Sequence, residues 1–158
     1  MDAVDQLVAL YQAKIDTEIH VGPWLTIDQE RISRFAEVTG DLQWIHTDPE
    51  RAAKESPYGA TIAHGFLTLS LLPYLTESNH PDFFSRNYPG MRMRVNYGLN
   101  KVRFPAPVVV GSKLRAHTVP IEVSRVGEAT QIIYRMTVEI EGSDKPACVA
   151  EFIARLYR

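Results

Sequence analysis

His64-Gly65-Phe66-Leu67-Thr68-Leu69-Ser70-Leu71-Leu72-Pro73-Tyr74-Leu75 decides the fold. Its leucines fall on several faces of a helix rather than on one stripe. A helix that is apolar nearly all round belongs in the middle of a domain, with other layers covering it. Gly65 stands at its start, and Pro73 is expected to bend it or limit its regular part. C-terminal to this segment the hydrophobic period changes from 3.6 to 2. Met91, Met93, Val95 and Tyr97 alternate, as do Val102 and Phe104, then Leu114, Ala116 and Thr118, and then Ile121 and Val123. Ile132, Tyr134, Met136, Val138 and Ile140 continue the alternation, and Cys148, Ala150, Phe152, Ala154 and Leu156 close it. These runs predict half-buried antiparallel strands. Gly127-Glu128 and Gly142-Ser143-Asp144 supply the hairpin turns, and Pro105 with Pro107 marks a break or a sheet edge. One buried helix followed by four or more strands predicts an α+β domain, a curved antiparallel sheet wrapped around the helix. Its long open edge calls for cover, and pairing of two copies is the simplest cover.

Upstream, Val4, Leu7, Val8, Tyr11 and Ile15 recur at helical spacing and predict a short amphipathic N-terminal helix. Gly22-Pro23 breaks the next segment, and Trp24-Leu25-Thr26 reads as extended. Asp28 reads as an N-cap with Glu30 in the favourable first turn, while Thr26 with Gln29 offers a rival capping box. Ile32, Phe35 and Ala36 form one apolar stripe, and Gly40 is placed as the residue that stops this helix. Asp48-Pro49 then reads as an N-cap and first-turn proline, opening a helix through Lys54 that Ser56-Pro57-Tyr58-Gly59 breaks.

Between that stop and that start lies Thr39-Gly40-Asp41-Leu42-Gln43-Trp44-Ile45-His46-Thr47-Asp48-Pro49. A carboxylate and an imidazole five residues apart in a short irregular link can be aimed into one pocket, where they can hold and activate a water. Imidazole changes protonation near neutral pH, and a neighbouring carboxylate favours its charged form.

Bulk composition narrows the function. The chain has 158 residues, enough for one domain with a sizeable core, and 45% are hydrophobic. Its 17 basic and 19 acidic residues give a net charge of −2, which argues against nucleic acid as the main partner. A single cysteine, Cys148, excludes an intrachain disulfide and reads as a small core residue. No run approaches the roughly 18 apolar residues of a membrane span, and the acidic N-terminus does not read as a secretory signal, so a cytoplasmic protein is expected. Asp41, His46 and Asp48 have the right types for a metal site but lack a further histidine or cysteine at ligand spacing. Asp48 is better explained as a cap, so no metal is expected. His20, His80 and His117 show no partners in the sequence.

Gly40-Asp41 with His46, Ile62-Ala63-His64-Gly65-Phe66, and Asn96-Tyr97-Gly98 before Val102-Arg103-Phe104 together resemble the MaoC-like (R)-specific enoyl-CoA hydratases, which have the hotdog fold. The resemblance covers about the whole chain, as one MaoC-like hotdog domain over residues 1–158. Against the family's Gly-Asp-x-Asn-Pro-aliphatic-His motif, Asp41, Ile45 and His46 match, while Gln43 and Trp44 replace Asn and Pro. Similar departures occur among relatives named after nodulation protein N. The resemblance implies a hydro-lyase of fatty acid metabolism that adds water across trans-2-enoyl-CoA to give (R)-3-hydroxyacyl-CoA, or runs in reverse as a dehydratase. It implies Asp41 and His46 as the water-holding dyad, either of which can be base or acid. Coenzyme A would be part of the substrate, with no separate cofactor; the homodimer expected from the open sheet edge stands beside this.

Gly65, with an unpaired N–H at a helix start, is the candidate oxyanion donor, since glycine permits close approach of a thioester. Gln43, Tyr58, His64, Phe66 and Leu67 are candidates for the substrate site. Among the basic residues Arg92, Arg94, Lys101 and Arg103, Arg103 ranks first as a phosphate contact. Two other functions stay open: dehydration of 3-hydroxyacyl groups on acyl carrier protein, and non-catalytic binding of acyl thioesters. Thioester hydrolysis is disfavoured, because hotdog thioesterases tend to carry an acidic residue on the central helix, and His64 to Leu75 has none.

Overall fold

The computed structural model describes residues 1–158. Helix α1 (Ala3–Gln12) is capped by Asp2, whose side chain accepts from the Asp5 N–H. Two short strands follow, β1 (His20–Val21) and β2 (Leu25–Thr26), then helix α2 (Gln29–Thr39). A one-turn helix α3 (Trp44–Thr47) and helix α4 (Pro49–Glu55) lead to the central segment, α5 (Gly65–Ser70) and α6 (Leu72–Leu75). Helix α7 (Pro81–Asn87) precedes four long strands: β3 (Met93–Arg103), β4 (Lys113–Val126), β5 (Ala129–Ile140) and β6 (Cys148–Tyr157).

The six strands form one antiparallel sheet in the order β1-β4-β5-β6-β3, with β2 also pairing β4. Its concave side holds the central segment, with α5 against β6 and α6 against β4. The chain is thus an α+β domain, one antiparallel sheet around a central helical segment, as the periodicity predicts. Inward residues of β5 (Ile132, Tyr134, Met136, Val138, Ile140) and of β6 (Cys148, Ala150, Phe152, Ala154, Leu156) are buried against Leu67, Leu71, Leu72 and Leu75. Burial pushes the Cys148 thiol up to about 11, which suits a core residue.

Several local expectations need correction. The N-terminal helix ends at Gln12, so Ile15 lies outside it. Helix α7 adds an element that the apolar period does not announce; its signal is Pro81 in the first turn, followed by Asp82. The central segment's regular part is limited near Pro73, as expected: it is interrupted at Leu71, and Pro73 takes the first turn of α6, where a missing N–H breaks no helical bond. Nor is that segment buried all round: Phe66 is 69% and Tyr74 61% exposed, on the stripe that also carries Ser70. Ser70 donates to the Phe66 carbonyl at 2.6 Å, as expected for a hydroxyl inside a helix.

Strand β3 shows the largest departure. Its alternating Met93, Val95 and Tyr97 are exposed rather than half-buried. Arg94 and Asn96 pair with the inward-facing Leu156 and Ala154, which turns the apolar residues between them to the other face. Register shifts follow between Asn96 and Gly98 and between Asn100 and Arg103, where Lys101 adopts a φ of 51°. Two histidines also have partners that the sequence hid. His20 meets Glu77 at 2.8 Å, and His117 lies between Glu139 at 2.7 Å and Glu18 at 3.0 Å on the outer face. Burial lowers the His117 pKa, but bonds and charges from Glu139 and Glu18 outweigh it and raise the net value.

Candidate active site

The segment carrying Asp41 and His46 is fixed at both ends by local chemistry. Asp28 caps α2 by accepting from the Arg31 N–H at 2.9 Å, and Gly40 stops it at φ 80°. Asp48 caps α4 by accepting from the Arg51 N–H at 3.0 Å, so its carboxylate is committed to structure. The link between them is less irregular than expected: Gln43 takes the N-cap position and Trp44 the first position of α3. Trp44 stands where the resembling motif has proline, and the Arg51 guanidinium lies 4.3 Å from its ring centroid, tying α3 to α4. Asp41 accepts a long bond, 3.4 Å, from the Gln43 N–H.

His46 is 7% exposed. Its Nδ1 lies 2.7 Å from the Ile62 carbonyl oxygen. A carbonyl can only accept, so Nδ1 carries the proton and the neutral ring presents its Nε2 lone pair. Burial is the largest influence on this ring and lowers its pKa, with the His64 charge acting the same way; the Ile62 bond and the Asp41 charge raise it by less. The expectation that a nearby carboxylate favours imidazolium is therefore corrected: desolvation wins, and His46 is held neutral below the usual histidine range.

His64 is 3% exposed. Its ring stacks on His46 with centroids 3.8 Å apart and planes 24° from parallel, and Phe35 packs 4.9 Å from it. His64 Nε2 donates to the Asp41 backbone carbonyl at 3.0 Å. The coordinating atoms of Asp41, His46 and His64 all lie within 4.8 Å of one another. A metal ion would need lone pairs converging at roughly 2.0–2.1 Å from each nitrogen. His46 Nδ1 is committed to the Ile62 carbonyl and His64 Nε2 to the Asp41 carbonyl, which leaves the Asp41 carboxylate and the His46 Nε2 lone pair to share a water.

Two residues that the sequence does not single out for the site brace the backbone of His46. Gln29 donates to the His46 carbonyl at 2.8 Å and accepts from the Thr61 hydroxyl. In the sequence Gln29 reads only as half of a capping box, and Thr61 carries no signal.

A cleft of about 300 Å³ adjoins the start of α5, lined by Tyr58, Ile62, Gly65, Thr68, Phe104 and Val108 among others. Because the Ile62 carbonyl also holds His46, cleft and dyad share a wall. A larger surface cleft of about 480 Å³ lies beside His20 and Glu77, where those two groups satisfy each other. Gly65 opens α5, whose geometry leaves its N–H without an intrahelical acceptor. A Cβ at Gly65 would come within 3.1 Å of three Phe104 ring atoms, so an added methyl would displace that exposed ring by a few tenths of an ångström.

The remaining candidates scatter. Leu67 is buried in the core; Phe66 is exposed, with its ring 6.2 Å from Phe104. Gln43 is exposed. Arg103 is exposed and donates to the Val102 carbonyl, Lys101 meets Glu151 at 3.7 Å, and Arg94 lies over the Phe152 ring.

A central helical segment held in a curved antiparallel sheet, with a carboxylate and a buried imidazole beside its start, defines a hotdog-fold protein. Residues 11–141 match the MaoC like domain, and the chain belongs to that family. It is 50% identical over 149 residues to 3-hydroxyacyl-thioester dehydratase Z of Mycobacterium tuberculosis, covering 94% of each chain. It is 44% identical over 142 residues to nodulation protein N of Rhizobium leguminosarum bv. viciae, covering 89% of this chain and 85% of that one. The unliganded R-hydratase of Pseudomonas aeruginosa shares the fold, with a TM-score of 0.65 at 22% identity over 89% of this chain and 83% of that one. The family match and the 50% identity to a 3-hydroxyacyl-thioester dehydratase make the chain an enzyme of the hydro-lyase class. No helix is long and apolar enough to cross a membrane.

Proposed function

We propose that this protein interconverts trans-2-enoyl-CoA and (R)-3-hydroxyacyl-CoA by adding or removing water at Asp41 and His46. One observation carries the reading: the two side chains lie within 4.8 Å of each other while the Ile62 bond leaves the His46 Nε2 lone pair free. Two hydrogen bonds of about 2.8 Å to one water oxygen span roughly 4.5 Å, a span compatible with groups held this close. In hydration, Nε2 takes one water proton as the oxygen adds to the β-carbon. Asp41 holds the other hydrogen and balances the imidazolium. The thioester oxygen gains the enolate charge, with the Gly65 N–H as the proposed donor to it. Imidazolium then returns a proton to the α-carbon on the same face. Water is consumed whole: hydroxyl at the β-carbon, hydrogen at the α-carbon. Tyr58 and the shared cleft suit the acyl chain, and Arg103, exposed at the surface, suits a phosphate of the carrier.

Added to crotonyl-CoA, the purified protein is expected to remove the enoyl-thioester absorbance and form the (R)-3-hydroxy product without releasing thiol. Thiol release would point to hydrolysis, and binding without turnover to a carrier function. The pH profile follows from the burial of His46. The base must be neutral, and its pKa is lowered, so kcat/KM should hold down to a pH below the ordinary histidine value of about 6.5 and fall only beneath it. An acid limb above that value would contradict the assignment of His46 as base.

The enzyme is further proposed to work as a homodimer built on β3. This strand ends the sheet with an unpaired edge and carries exposed Met93, Val95, Tyr97 and Leu99 beside Phe104 and Phe66. Light scattering should return twice the chain mass, and Tyr97→Asp should return the monomer; a monomeric wild type would refute the assembly.

A further inference from the structure

We infer that His64 is a positioning residue that sets the two members of the dyad relative to each other, an inference that rests on the hydratase reading above. Three contacts carry it. Its Nε2 donates to the backbone carbonyl of Asp41 at 3.0 Å, so the chain bearing the carboxylate hangs from this ring. Its face lies 3.8 Å from that of His46, so the imidazole bearing the base rests on the same ring. Phe35, on α2, packs against it at 4.9 Å. One side chain from the start of α5 therefore fixes an exposed carboxylate and a buried imidazole that the sequence separates by four residues.

The ring itself takes no direct part. At 3% exposure it offers no surface to a substrate, which separates it from the acyl-contact role considered for it. The Asp41 carbonyl is an acceptor, so Nε2 must carry the proton and Nδ1 is left as a buried lone pair. That Nδ1 has no hydrogen-bond partner. An unmatched buried acceptor costs stability, roughly what the loss of a hydrogen bond costs. A leucine or phenylalanine would pack there without that penalty. What histidine supplies, and an apolar residue does not, is the donor to Asp41 together with a flat ring for His46. A misplacement of about 1 Å in such a constellation costs on the order of 10²-fold in rate.

Two substitutions separate the donor from the ring. His64→Phe keeps the stack and removes the donor; His64→Gln removes the ring and keeps an amide N–H where Nε2 stands. His64→Phe should lower kcat for crotonyl-CoA hydration about 10²-fold with KM changed by less than about threefold. His64→Gln should recover at least a tenth of the wild-type kcat. A phenylalanine variant within twofold of wild type, or a glutamine variant as slow as the phenylalanine one, overturns the proposal. Nitrogen-15 NMR of the wild-type imidazoles at neutral pH needs neither variant to fold: it should show His64 protonated at Nε2, and a proton at Nδ1 refutes the bond to Asp41. That measurement also separates the two ideas. A wild type inert toward enoyl and hydroxyacyl thioesters sinks the hydratase reading, while the tautomer still decides whether His64 holds Asp41.

Discussion

Asp41→Asn and His46→Asn are each expected to lower kcat by roughly 10²- to 10⁴-fold while leaving the protein folded. The pair is chosen for what it preserves. Asparagine at 41 keeps the shape of an exposed side chain and removes its charge. Asparagine at 46 places an amide N–H close to the position of Nδ1, so the bond to the Ile62 carbonyl survives and only the Nε2 lone pair is lost. The double variant should be scarcely slower than the worse single one, because two groups acting on one water fail together. Asp41→Asn also removes a charge that raises the His46 pKa, so the acid limb of any residual activity should move to lower pH. Circular dichroism and steady-state kinetics on the two variants decide the matter. A rate near wild type in either one would remove that residue from the mechanism.

Gly22→Ala is expected to destabilise the fold by about 3 kcal/mol or more, the upper range for overpacking. Gly22 is buried where β1 gives way to the loop, and its N–H donates to the Ala116 carbonyl at 3.0 Å. A Cβ there would overlap the carbonyl oxygen of Leu75, the last residue of α6. The obstacle is backbone on both sides, held by the sheet and by the central segment, so no side-chain rotation relieves it. For a domain of this size the melting temperature should fall by roughly 10 °C. Gly98→Ala is the control: its added methyl meets only Ile153, at 3.9 Å, and urea unfolding should move little. Equal midpoints for the two variants would show that the close approach at Gly22 relaxes freely.

The sequence announced what depends on period and on capping. Strands β4 to β6 alternate because one face meets the core, and Asp28, Gly40 and Asp48 mark helix ends through their own side chains or φ angle. It misled where an apolar residue faces away from its own core. Met93, Val95 and Tyr97 alternate as faithfully as a core face, yet point outward on an edge strand. Period reveals that a face is apolar, not what covers it. Asp41 and His46 were legible because two ionisable groups stand close in the chain. Gln29 and Thr61 were not, because their partners lie 17 to 32 residues away and an amide or hydroxyl there has many structural uses. The sign of the His46 shift was also hidden: the carboxylate is visible in the sequence, while the burial that outweighs it is a property of the fold.

The Gln29 bond to the His46 carbonyl has a consequence for heredity as much as for mechanics. Residues 40–48 look like a cassette, but their geometry is borrowed from the first turn of α2, from Thr61 and Ile62, and from the start of α5. Spliced into another scaffold, the nine-residue loop would carry its reactive groups but not their arrangement. Such a site travels through evolution only with the frame that suspends it, and it is lost by substitutions at distant positions that no loop motif contains.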